Sequence, residues 1–135
     1  MICKTHIIDV RSDNEDEMIN ITSRVSRLIQ DSGVTEGEVI LFVPHTTAAI
    51  TINENADPDV KDDMLLGLRR TFPRDKDYIH NEGNSHAHIK SSVIGVEKTI
   101  LISKREMILG IWQAIYFMEF DGPRNRKLVV RISGK

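Results

Sequence analysis

Residues 39–60 read VILFVPHTTAAITINENADPDV, and this stretch decides the fold class. Val39 to Val43 is a continuous apolar run, short enough for a strand and apolar enough to be covered on both faces. Pro44 ends it, since proline cannot donate to a strand ladder. After His45-Thr46-Thr47, Ala48 to Ile52 supplies a second, β-branched strand. Asp57-Pro58 then opens a helix: the aspartate accepts from the free amides of the first turn, and proline suits the first helical position. Val60, Met64, Leu65 and Leu68 follow at helical spacing, and Pro73 closes the segment.

Working outward, Thr5 to Val10 reads as a first strand. Arg11-Ser12-Asp13-Asn14 has the composition of a turn and helix cap, and from Glu15 the positions Met18, Ile21, Val25, Leu28 and Ile29 predict an amphipathic helix that Gly33 stops. On the other side, residues 74–88 are polar and irregular. Val96 to Ile102, Ile111 to Phe120 and Lys127 to Ile132 read as strands, the last two joined by an Asp121-Gly122 hairpin signal. Runs of strands with two main helices predict an α+β fold, a compact single-domain sandwich of mixed or antiparallel sheet spanning residues 1–135.

Eighteen Lys and Arg against twenty Asp and Glu give a formal charge of −2, a balance that does not suggest a nucleic-acid or anionic-membrane surface, although it leaves room for local basic patches. No apolar run approaches a bilayer span, and no charged segment followed by an apolar one opens the sequence, so the expected location is cytoplasmic. A single cysteine, Cys3, excludes an internal disulfide and a cysteine zinc cage. The glycine patterns of phosphate loops, dinucleotide folds and serine-esterase elbows are all missing.

Chemistry concentrates in three places. His80, His86 and His88 fall within nine residues in YIHNEGNSHAH, and three imidazoles leave an open position on a zinc-like ion. His86-Ala87-His88 puts both rings on one face in extended backbone; in a helix they diverge by about two hundred degrees, so only one could join a given metal. His45 follows a buried strand with Thr46 and Thr47 beside it. Glu54 stands near a strand end, where a carboxylate can act as a general base or orient a ligand histidine, whereas Asp57 reads as a helix cap. Arg124 and Arg126 flank a turn that requires neither, and guanidinium recognises phosphate or carboxylate with two parallel hydrogen bonds.

Taken together, PHTTAAITINENADPDV, GNSHAHIKSSVIG and GIWQAIYFMEFDGPRNR resemble the YjbQ-type family, whose members are described as secondary thiamine-phosphate synthases. The likeness runs from the first strand to the last. It implies a compact α+β sandwich, a homotrimer and a histidine metal site; nitrogen-rich ligation favours zinc as its divalent ion, with magnesium arriving on a diphosphate substrate as the alternative. It also implies joining hydroxymethylpyrimidine diphosphate to thiazole phosphate with release of pyrophosphate. Set against that reaction, His80, His86 and His88 are assigned to metal. Glu54, His45 and Asp121 are assigned to catalysis, and Arg124, Asn84, Lys90 and Thr46 to the phosphorylated substrate. Two rivals use the same residues: a metal-dependent hydrolase of a small phosphorylated or acyl compound, and a non-catalytic trimer that binds a small anion.

Overall fold

A computed structural model describes every residue, Met1–Lys135. Eight strands and three helices follow one another as β1 (Ile2–Arg11), β2 (Glu17–Asn20), α1 (Thr22–Ser32), β3 (Glu36–Phe42), β4 (Ala48–Glu54), α2 (Pro58–Thr71), α3 (Ser85–Ile94), β5 (Glu97–Ser103), β6 (Glu106–Met107), β7 (Gln113–Glu119) and β8 (Asn125–Gly134). They build two antiparallel sheets: five strands in the order β1-β8-β3-β5-β6, and three in the order β2-β7-β4. The expected α+β sandwich is present, with one more helix than the periodicity predicts.

The smaller sheet is covered on both faces, which explains why β7 reads as an unbroken apolar run. Its Ile115 and Phe117, with Ile50 of β4, face Val39, Leu41, Val130 and Ile132 of the larger sheet and Val25 and Ile29 of α1. The alternate residues Ala114, Tyr116 and Met118 face Leu65 of α2 and Ala87 of α3. Period-two alternation thus splits one strand between two cores. No helix is long and apolar enough to cross a membrane.

Two elements depart from the sequence reading. Glu15 to Asn20 does not begin the first helix. Glu17–Asn20 is instead a strand paired to β7, and α1 starts at Thr22, whose backbone N–H is accepted by Asn20 Oδ1 at 3.0 Å. Met18 and Ile21 suit either geometry, and the unpaired edge of β7 decides between them. Asp121-Gly122 likewise makes no hairpin, because β7 and β8 lie in different sheets and the turn carries the chain across the sandwich. The helix cap at Asp57 is as expected, its side chain accepting from Asp59 N–H at 2.9 Å.

Phe117 is fully buried between the two sheets. Phe117→Ala is expected to cost about 3–5 kcal/mol, read as a lower urea midpoint with an unchanged m-value.

Candidate functional site

Where the chain passes between the sheets, Glu119 closes β7 with no solvent exposure and Arg126 enters β8 with almost none. The carboxylate accepts five hydrogen bonds: from Ser12 Oγ, from the Phe120 and Asp121 backbone N–H groups, and from Arg126 Nε and Nη2. Arg126 Nη2 also donates to Thr47 Oγ1 at 2.9 Å. Burial alone would raise the Glu119 carboxyl, but the hydrogen bonds from Arg126, Ser12 and the Asp121 amide together hold it below the ordinary carboxylate value. It is an ion in the core. Gly122 sits so tightly against this group that an added Cβ would lie 2.2 Å from Asn14 O and 2.9 Å from Glu119 Cγ.

On the solvent side of that network the crossing loop presents Arg124. Its Nε donates to the Asp121 carbonyl at 2.7 Å and its Nη2 to Asp121 Oδ2 at 2.9 Å, while Asn84 Nδ2 donates to the same oxygen at 2.8 Å. Asp121 is therefore occupied in aiming Arg124 and tying it to the start of α3. Across the cleft, His45 Nε2 accepts from Lys127 N–H at 2.9 Å, which leaves Nδ1 to carry the proton of a neutral ring. Burial, then the nearby Arg126 charge, lowers the His45 pKa from its usual value, so the neutral form prevails at pH 7. His80 and His88 stack edge to face with ring centroids 5.6 Å apart.

These groups share one polar cleft of about 430 Å³, lined by His45, His80, His88, Asn84, Asp121 and Arg124 among others. A second recess of about 420 Å³ adjoins it: His45, Thr46 and His88 line both, and Ser91, Ser92 and Val96 belong to the second. The site is two-lobed, with two imidazoles at the divide.

Three assignments made from sequence do not converge here. The polar stretch after residue 84 is the helix α3, so His86 and His88 point to opposite sides, as two-residue spacing on a helix requires. His86 leaves the set, and no group of three His, Cys, Asp or Glu side chains converges in metal-binding geometry. Lys90, one turn after His86, shares its side of the helix and lines a different cavity. Glu54 ends β4, about 20 Å along the strand from Ala48 at ordinary strand rise. Its carboxylate accepts from Ala56 N–H at 2.9 Å, a local turn contact. His45, Thr46, His80, His88, Asn84, Asp121 and Arg124 do come together.

Sequence reasoning missed the buried pair itself. Glu119 and Arg126 are visible as charges beside a turn, but nothing in their spacing says that both are dry. It also missed α3, whose small residues Ala87 and Ser91 recur at four-residue spacing and allow close approach to β4; Ser91 Oγ donates to the Ala48 carbonyl at 2.6 Å.

Residues 6–135 match the family model described as UPF0047 protein YjbQ-like. The UPF0047 protein YugU of Bacillus subtilis is 45% identical over 128 residues, covering 94% of this chain and 97% of that protein. A UPF0047 protein of Methanocaldococcus jannaschii is 46% identical over 125 residues, covering 93% and 91%. Among solved structures, an uncharacterised YjbQ/UPF0047 protein of Clostridium acetobutylicum superposes with a TM-score of 0.92 at 51% identity, covering 95% of this chain and 99% of that one. A YbjQ-like protein of unknown function from Sulfolobus solfataricus gives 0.94 at 30% identity, covering 98% of each.

Removing one member of a buried pair strands the other. Arg126→Met is expected to lose about 3–5 kcal/mol of unfolding free energy, and adding Glu119→Gln to restore part of it; a double-mutant cycle by urea unfolding reads both. The histidines set a pH slope. Folded His45 and His86 both resist protonation, while the unfolded chain binds those protons near the ordinary histidine value of about 6.5. Their contribution is present above that value and is lost as pH falls through the folded values, so stability is expected to decline below about pH 6.5. The His45→Asn, His86→Asn double variant should flatten that decline.

Proposed function

The chain belongs to the YjbQ-like UPF0047 family, and from that membership we propose that its two-lobed cleft joins two small substrates, at least one of them phosphorylated, in a thiamine-phosphate synthase-type transfer. The observation that carries the reading is the pair of adjoining recesses with His45 and His88 at their divide and a fixed arginine in one of them. Arg124 is already oriented by Asp121, so binding an anion costs little further ordering of its side chain. Its remaining N–H groups and the His45 Nδ1–H are donors suited to a diphosphate. The recess that holds Arg124 is lined by polar residues apart from Pro44, which favours a charged ligand there over an apolar one.

In this proposal the diphosphate of hydroxymethylpyrimidine diphosphate sits beside Arg124. The thiazole nitrogen attacks the pyrimidinylmethyl carbon with its lone pair. The new C–N bond forms as the C–O bond breaks, and pyrophosphate leaves with the electron pair. The acceleration then comes from stabilising charge on the departing oxygens, with His80 and His88 placed to donate to them. A divalent cation, zinc or magnesium, enters as a neutraliser carried by the diphosphate; the proposal needs no resident three-histidine cage. Assembly as a homotrimer belongs to the same reading. Ile7 and Phe42 stand exposed on the outer face of the larger sheet, where both pair with Val129, and a partner subunit would cover them.

Supplying both thiamine halves with magnesium and following pyrophosphate and thiamine phosphate tests the reaction. Arg124→Met is expected to raise KM for the diphosphate about tenfold or more, and His88→Ala to lower kcat about a hundredfold. Phosphate released in water with no joined product would replace this reading with a hydrolase. Sedimentation velocity should give a trimer, and a clean monomer at micromolar concentration would remove that part.

A further inference from the structure

On the side of α3 opposite the cleft, His86 and Lys90 line a separate cavity of about 390 Å³ with Asp16, Arg69, Arg74 and Phe120. The two side chains lie one helical turn apart and are nearly dry, at 5% and 4% exposure. Lys90 Nζ is 3.2 Å from His86 Nδ1 and 6.0 Å from the centre of the Phe120 ring. It has no carboxylate partner. The acids at the rim are engaged elsewhere: Asp16 accepts from Arg69 Nε at 2.6 Å and Nη2 at 2.9 Å, and Glu15 is paired with Arg74. His86 Nε2 is buried with no hydrogen-bond partner at all.

Those facts define what is missing. With Nδ1 accepting from the lysine, the neutral ring carries its proton on Nε2, so a buried N–H goes unanswered beside a buried amine without a counter-charge. Native interiors seldom leave either group alone. A cation would be repelled by the unpaired Lys90, and an apolar ligand would leave the N–H unsatisfied. An anion answers both groups, and the cavity is within the size range of small-molecule sites.

We propose that the His86–Lys90 cavity is a second site that binds a small oxyanion, a phosphate or a carboxylate group, accepting from His86 Nε2–H and from Lys90 Nζ. At its mouth Arg69 and Arg74 are balanced by Asp16 and Glu15, so the unpaired positive charge of the site is that of Lys90. The site stands on residues that the two-lobed cleft does not use, so one helix serves a different site on each side.

The test is imidazole 1H–15N spectroscopy of the full chain titrated with inorganic phosphate and, separately, with acetate. The His86 Nε2–H signal is expected to shift saturably with at least one of them, and the responsive anion identifies which oxyanion chemistry the site takes. Arg124→Met should leave that shift in place, and Lys90→Met should weaken it about tenfold or more. Lys90→Met removes a buried charge and keeps the side chain's length, so a folded variant is expected; the wild-type titration stands without it. A His86 signal that neither anion moves overturns the proposal, even if His45 and His88 respond. So does an unchanged affinity in Lys90→Met.

Discussion

A carboxylate sealed from water must draw all its donors from the protein, and Glu119 draws five, from β1's end, from its own turn and from the start of β8. That requirement organises the molecule. β7 lies in one sheet and β8 in the other, so the ion pair between Glu119 and Arg126 is a bolt across the sandwich at the point where the chain changes layers. Ser12 is bonded to both Glu119 and the Arg124 backbone, and Thr47 is held by Arg126, which fixes the loop before β4. A buried ion pair adds little net stability over a well-packed apolar pair. What this one adds is position: Arg124, Asp121, His45 and Thr46 all project from segments that it clamps.

The second organising element is α3. Its small residues let it lie close on β4, and its ten-residue length sets side chains on opposed faces. His88, Ser91 and Ser92 open onto the recess beside His45, while His86 and Lys90 open onto the cavity under α2 and the residues before β2. A loop in the same place would have allowed all three histidines to gather around one ion. The helix separates them, and with them the two kinds of polar chemistry.

Membership of the UPF0047 family fixes the architecture of this chain. The relatives it superposes on are described as uncharacterised or of unknown function, so the chemistry has to be argued from the groups themselves. An arginine preset by an aspartate, a histidine fixed in one tautomer by a backbone amide and two recesses meeting at shared imidazoles form an arrangement suited to holding an anion against a second molecule.

The sequence by itself determined most elements. Apolar runs, Pro44, Asp57-Pro58 and Gly33 are local signals, and they act over a few residues whatever the surroundings. It also determined where polar chemistry concentrates, since Arg124, Asn84, His45, Thr46, His80, His88 and Asp121 do share a cleft. Tertiary structure decided the rest. Glu17–Asn20 became a strand because β7 offered it an unpaired edge, against a spacing that suited a helix equally well. Asp121-Gly122 became a crossing between sheets because β7 pairs with β2 and β4 while β8 pairs with β1 and β3. His86 and Lys90 were separated from the other candidates, and Glu54 was left at the far end of its strand. Proximity in sequence says nothing about which face of a helix or which end of a strand a side chain occupies; only packing against a second element assigns that.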